Sequence, residues 1–239
     1  MQPVADIIVP VFNERDSLPV FLARLRALPQ YGSWRVTVID NASVDGSLEY
    51  LQAQADVHVI SHTHNEGYGA SLRDGMAATQ AEHIVIIDAD CEYPPEAIPD
   101  MLLALAEHNV VYASRFLQKR NAKQAGMVFL KWWGNRIISS LFNVLFGQNT
   151  TDLYTGCKAM RRQCLRNVQL QRSGFEHVLE LAVQLSQHGY TLAEIPVDFS
   201  PRAAGVSKMS HLGETLKYLY WLIVFRMQHA RVKTVKGAP

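Results

Sequence analysis

The 239-residue chain has only three cysteines, Cys91, Cys157 and Cys164, widely spaced and without a CxxC pair. Such a set argues for reduced thiols in cytosol, and against a disulfide scaffold or a zinc site. No run reaches the roughly 18 uninterrupted apolar residues that a membrane span needs. The first residues, MQPVADIIVPVFNERD, have no basic segment and too short an apolar run for a signal peptide. Repeats, low-complexity tracts and long linkers are also missing. The expectation is a cytoplasmic protein, soluble or seated peripherally on a membrane face.

Acid is absent from Asn109 through Thr151, and this absence exposes a division that the net charge of +1 conceals. Residues 1–107 hold 16 Asp or Glu and 5 Lys or Arg; residues 108–239 hold 6 acids and 18 bases. One half suits a cation held by carboxylates, the other an anionic partner. The competing reading is that the halves simply attract each other, but it leaves the aromatic content of the basic stretches unexplained. A hydrophobic content of 48% is ample for a core.

What is present is an alternation of short β-rich runs with helical ones. DIIVPVF, WRVTVID, VHVIS, HIVIID and NVVYASR read as five strands separated by helical segments. Strands apolar throughout predict a mostly parallel sheet covered by helices on both faces, an α/β Rossmann-like class. Ligands of such sheets bind beyond the carboxyl ends of the strands. Those ends carry Asn13 and Glu14, Asp40 and Asn41, His64 and Asn65, Asp88 and Asp90, Ser114 and Arg115. Helix caps account for Asn41, Ser43 and Asp45, but not for Glu14, Asp88, Asp90 and Arg115 together.

The stretch IVIIDADCEYPPE, residues 84–96, is the sharpest signal. Asp88 and Asp90 lie two apart and point to one side of an extended backbone. With Glu92 they gather up to three negative charges, a conflict that Mg²⁺ or Mn²⁺ relieves. The alternative is that Asp90 or Glu92 caps the helix beginning near Pro94.

In order and spacing, VPVFNE, VIDNASVDGS, HNEGYGASLRDGM and IIDADCEYPPE resemble family 2 glycosyltransferases with the GT-A fold. YASRF, TDLYTGCKAMRR and the block from GFEHVLEL to AAGVSK resemble the branch containing dolichol-phosphate mannose synthase and bacterial polyprenyl-phosphate glycosyltransferases. The likeness spans roughly residues 6–210. It implies an inverting, metal-dependent transfer of a hexose from a GDP- or UDP-sugar to a polyprenyl phosphate. Pro10, Phe12, Glu14, Asp40 and Asn41 are then the nucleotide cradle. Asp88, Ala89 and Asp90 meet ribose and diphosphate, Asp90 and Glu92 the metal, and Arg115, Arg202 and Lys208 face phosphates. Asp152 matches the family's acidic residue near the acceptor, as orienting group, base or simple turn residue. The chain departs from the family at Asp40-Asn41-Ala42-Ser43, where Asp-Asp-Gly-Ser is common, and at Glu92, where Gln or His is common.

The resemblance implies one domain over 1–239: a nucleotide-sugar-binding half to 115, an acceptor-side half over 116–210, and a C-terminal amphipathic helix with a basic tail. Apolar residues at 130, 133, 137, 141 and 145 predict a helix over 127–146, and a last helix is expected over 211–228. Trp132, Trp133, Tyr220 and Trp221 beside Lys131, Arg136, Lys217 and Arg226 suit an anionic membrane surface; the alternative is packing on the sheet or in a homo-oligomer. His62, His64 and His177 read as ordinary polar residues, and no nucleic-acid partner is expected. Two rival functions stay open: transfer to a saccharide hydroxyl in surface-polysaccharide assembly, and a non-catalytic nucleotide-sugar-binding module.

Overall fold

Apolar residues on both sides of the strands decide the architecture. In β1 (Ala5–Val11), Ile7, Val9 and Val11 enter one apolar layer and Ile8 the other. In β4 (His83–Ile87), Val85 and Ile87 join the first layer, Ile84 and Ile86 the second. Such strands need cover on both faces. A computed structural model, describing residues 3–117, 129–198, 200 and 217–228, shows that cover.

Among the described residues the sheet has seven strands in the order β3-β2-β1-β4-β6-β5-β7. They include β2 (Trp34–Asp40), β3 (Val57–Ser61), β5 (Val110–Ser114), β6 (Cys157–Arg161) and β7 (Leu192–Pro196). All pairings are parallel except those of β6, which runs antiparallel to both β4 and β5. The strand CKAMR, outside the five runs named above, thus lies inside the sheet between β4 and β5.

The first layer is closed by α1 (Leu18–Arg26), α2 (Ser47–Gln52) and α4 (Ile98–Ala104), which contribute Phe21, Leu25, Leu51, Ile98 and Met101. The second is closed by α3 (Tyr68–Ala77), α5 (Phe129–Phe146), α6 (His177–Gln187) and α7 (residues 217–228), through Leu72, Ile138, Phe142, Leu179, Tyr218 and Leu222. Helix α4 is shorter than the helical pattern suggests, because the chain leaves Pro94 through a 3₁₀ turn at Pro95–Ala97.

Helix α5 forms where its periodicity predicts, but only part of the apolar stripe is covered: Leu141 and Leu145 pack on the second layer, while Trp133 and Ile137 do not. Asn135, Ile138, Ser139 and Phe142 point inward, whereas Trp133, Ile137 and Val144 are 47%, 49% and 82% exposed. Polar anchoring sets this rotation: Asn135 Nδ2 donates to Asp152 Oδ1 at 2.6 Å, and Ser139 Oγ accepts from Leu153 N at 3.1 Å. Helix α7 shows the same division. Tyr218, Leu222 and Phe225 are buried, while Tyr220, Ile223 and Met227 face outward. Among the described residues no helix is long and apolar enough to cross a membrane.

Candidate active site

The polar strand ends meet along one rim, and the chain turns over it through strained backbone. Asn13, Ala42 and Cys91, just past β1, β2 and β4, have φ of 53°, 61° and 57°. Residues other than glycine rarely adopt this left-handed region, and such strain collects at functional sites. Side chains hold it in place. Asn13 N donates to Ser43 Oγ at 2.9 Å, Val44 N to Asn13 Oδ1 at 2.8 Å, and Glu14 N to Ser47 Oγ at 3.0 Å. NASVDGS therefore clasps the loop after β1.

Of the expected nucleotide cradle, Pro10 is buried within β1, and Phe12 and Glu14 lie half-buried at its end. Glu14 Oε2 accepts from Ser17 Oγ at 2.7 Å. Asp40 is fully buried; its Oδ2 accepts from Ser43 N at 3.1 Å, and its Oδ1 has no hydrogen-bond donor among the described residues. Asn41 Oδ1 accepts from Glu66 N at 2.9 Å, and its Nδ2 donates to Asn65 Oδ1 at 3.0 Å, joining the ends of β2 and β3. His62 lies between Asn41 Oδ1, 2.9 Å from Nδ1, and Asp74 Oδ2, 3.0 Å from Nε2.

At the end of β4, Asp88 is locked from several sides. Tyr68 Oη donates to its Oδ1 at 3.0 Å, and its own N–H donates to Gly156 O at 3.2 Å. A Cβ on Gly156 would stand 2.1 Å from Asp88 Oδ2, so only glycine allows this approach. Beside them is Lys158, fully buried in β6, donating to the Thr155 carbonyl and lying 5.5 Å from the centre of the Tyr112 ring. Burial lowers its pKa to about 8, while the Asp88 charge pulls the other way. Asp88 thus has a buried lysine near it whose charge offsets its own, a feature that the sequence reading missed. Its signal was a lysine inside the otherwise apolar strand CKAM.

Asp90 and Ala89 are buried, and Asp90 Oδ1 accepts from Glu92 N at 2.9 Å, a local turn bond; neither Asp90 nor Glu92 caps the 3₁₀ turn or α4, which have no side-chain cap. Glu92 Oε2 lies 3.8 Å from Arg115 Nη1. The three carboxylates do not converge as the sequence suggests. Among the described residues, the trio whose ligand atoms all lie within 4.8 Å of one another is instead His62, Glu66 and Asp74. Asp88, Asp90 and Glu92 offer only hard oxygen donors. This suits a Mg²⁺- or Mn²⁺-type ion that takes few protein ligands and leaves positions for water or phosphate.

Arg115 and Asp152 pair with each other. Arg115, expected to face phosphates, gives Nε and Nη2 to Asp152 at 2.7 and 2.8 Å, and its backbone N donates to Asp152 Oδ2 at 3.1 Å. Asp152 has no exposed surface and also accepts from Asn135. Glu194 on β7 fixes the loop that carries it, accepting from Thr151 N at 2.8 Å and Asp152 N at 2.9 Å. Asp152 is thus enclosed here as the buried counter-ion of Arg115. Arg202, Lys208 and the basic tail lie outside the described residues.

The comparisons agree with this architecture. The sequence pattern of glycosyl transferase family 2 matches residues 6–169. An undecaprenyl-phosphate mannosyltransferase of Micrococcus luteus is 32% identical, covering 85% of this chain and 86% of its own length. A polyprenol monophosphomannose synthase of Mycolicibacterium smegmatis is 30% identical, covering 94% and 89%. Glucosyl-3-phosphoglycerate synthase from Mycobacterium tuberculosis, crystallised with Mn²⁺, uridine diphosphate and phosphoglyceric acid, superposes with a TM-score of 0.71 at 16% identity, covering 99% of this chain and 80% of its own. The fold is GT-A, and the rim is where such folds place their ligands. The chain belongs to glycosyl transferase family 2 and is a glycosyltransferase.

Proposed function

We propose that the protein transfers a hexose, with inversion, from a nucleotide sugar to a polyprenyl phosphate at a membrane surface. The observation that carries this reading is the likeness, along nearly the whole chain, to two enzymes named for polyprenyl-phosphate mannosyl transfer. Mannose is accordingly the first sugar to test.

In this reading Pro10, Phe12, Glu14, Asp40 and Asn41 hold the nucleotide. Asp88 and Ala89 meet the ribose and diphosphate. Asp90, with Glu92 beside it, would hold Mg²⁺ or Mn²⁺, which when bound neutralises charge on the departing diphosphate. Arg202 and Lys208 share that task, and Arg115 keeps its place through Asp152. The anomeric C1–O bond to the diphosphate breaks as an acceptor phosphate oxygen bonds C1 from the opposite face. With a second pKa near 6 (about that of any phosphate monoester), the acceptor is already anionic and needs no base. That requirement accords with a fully engaged Asp152. The outward apolar residues of α5 and α7, with Arg136 and Arg226 among them, supply the membrane contact.

The test is a transfer assay with purified protein, a panel of GDP- and UDP-sugars, and a polyprenyl phosphate or a saccharide acceptor, with and without a chelator. Product is expected only with the lipid phosphate and divalent metal, and Asp90→Ala should lose metal-dependent binding of the nucleoside diphosphate. Transfer to a saccharide hydroxyl but not to lipid phosphate would overturn the acceptor assignment; unchanged Mn²⁺ titration of Asp90→Ala would overturn the metal site.

A further inference from the structure

Tyr68 is the first residue of α3, yet its hydroxyl reaches the end of β4. Burial, followed by the charge of Asp88, pushes its pKa well above the ordinary range. The phenol therefore keeps its proton, and the 3.0 Å contact is a donation into the carboxylate. Its ring stacks on Phe175 at 5.3 Å between centroids.

Phe175 itself sits in the irregular loop before α6, whose position is imposed from two sides. From inside, Glu180 accepts from Gln171 N and Arg172 N at 2.9–3.1 Å, and Gly69 N donates to Ser173 O at 2.7 Å. A Cβ on Gly69 would stand 2.4 Å from Arg172 O, so the loop closes over α3 only because that position is glycine. From outside, α7 grips the same loop three times. Tyr218 Oη donates to Phe175 O at 2.7 Å, Lys217 Nζ pairs with Glu176 Oε2 at 2.8 Å, and Arg172 lies over Trp221 at 4.1 Å. Tyr218 is itself seated against Tyr154, ring centres 4.4 Å apart. A continuous set of contacts thus runs from a helix whose other face is outward and apolar to a carboxylate at the sheet rim.

We propose that Tyr68 is a positioning residue for Asp88, and that the seating of α7, through Tyr218 and Phe175, sets that position. The proposal rests on the reading of Asp88 as a donor-site carboxylate. Its consequence is that donor binding responds to whatever seats or lifts α7, although no residue of α7 need touch the donor.

The test is a double-mutant cycle on the full chain with Tyr68→Phe and Tyr218→Phe, each removing one hydroxyl and keeping the ring. Binding of GDP and UDP with Mn²⁺ is measured by calorimetry, and exchange of the Gly69 amide without ligand. Loss of one hydrogen bond to a carboxylate predicts about a tenfold weaker Kd for Tyr68→Phe. Tyr218→Phe should weaken Kd about threefold alone, scaled down from the same bond energies, add nothing in the Tyr68→Phe background, and speed Gly69 exchange. Additive losses, or a lowered Tm with Kd unchanged in both single variants, would overturn the relay, as would unmoved Gly69 exchange in Tyr218→Phe. A wild-type chain that binds neither nucleotide would instead overturn the donor-site reading, and this role for Asp88 with it, whatever Gly69 does.

Discussion

Removing the carboxylate of Asp152 separates its two readings. The side chain has no exposed surface and Arg115 is only 5% exposed, so Asp152→Ala strands a guanidinium in the interior with its main counter-charge gone. Glu92 stands 3.8 Å from Nη1, against 2.7 and 2.8 Å for the bidentate pair with Asp152. Breaking one partner of a buried pair costs about 3–5 kcal/mol. For a chain of this size, each kcal/mol lowers Tm by about 2–4 °C, so a fall on the order of 10 °C is expected in a thermal melt. Arg115→Met should destabilise comparably, and the double variant Asp152→Leu/Arg115→Met should recover part of the loss, because apolar replacement of the buried pair is often near neutral, while Asn135 Nδ2 and the Arg115 N–H still lose an acceptor. Asp152→Asn should lie between, its amide placing two donors against Arg115 or Asn135. An Asp152→Asn protein with unchanged Tm and abolished turnover would refute the counter-ion role and restore the residue as a base.

His177, fully buried at the start of α6, is held down to about 3 by burial first and then by the charge of Lys158. Its ring stays neutral in the native state while the unfolded chain protonates below about 6.5. Its contribution is therefore complete above pH 6.5 and lost as pH falls toward 3, at up to about 1.4 kcal/mol per pH unit. Denaturant melts at pH 7 and 4.5 should show a smaller acid loss for His177→Leu than for the wild type; equal losses would refute this. Separately, Ile137→Ser with Ile223→Ser should reduce sedimentation with anionic vesicles severalfold without lowering Tm, since both side chains are about half exposed. Unchanged sedimentation would leave those faces to another partner.

Much of the fold is legible in order along the chain because its signals are local. An apolar run such as Ile84–Ile87 ending in Asp88 states both a doubly covered strand and its rim end, and the same pattern repeats for β1, β2 and β5. Five of the seven described strands, β1 to β5, follow those runs closely. Helix α5 shows the boundary of such inference. Periodicity located the helix, but which face turned inward depended on Asn135 and Ser139 reaching a loop up to 17 residues away.

By itself, then, the sequence determined the α/β class, the family, and the collection of acids at the carboxyl ends of the strands, since each rests on residues a few positions apart. Only the tertiary structure decided how those charges are shared. Arg115 went to Asp152 across 37 residues, Lys158 came opposite Ile86, two residues before Asp88, where β6 pairs with β4, and Tyr68 reached Asp88 from α3. A side chain's charge is written in its chemistry, but its partner is chosen by chain topology, and burial then makes that choice costly to reverse.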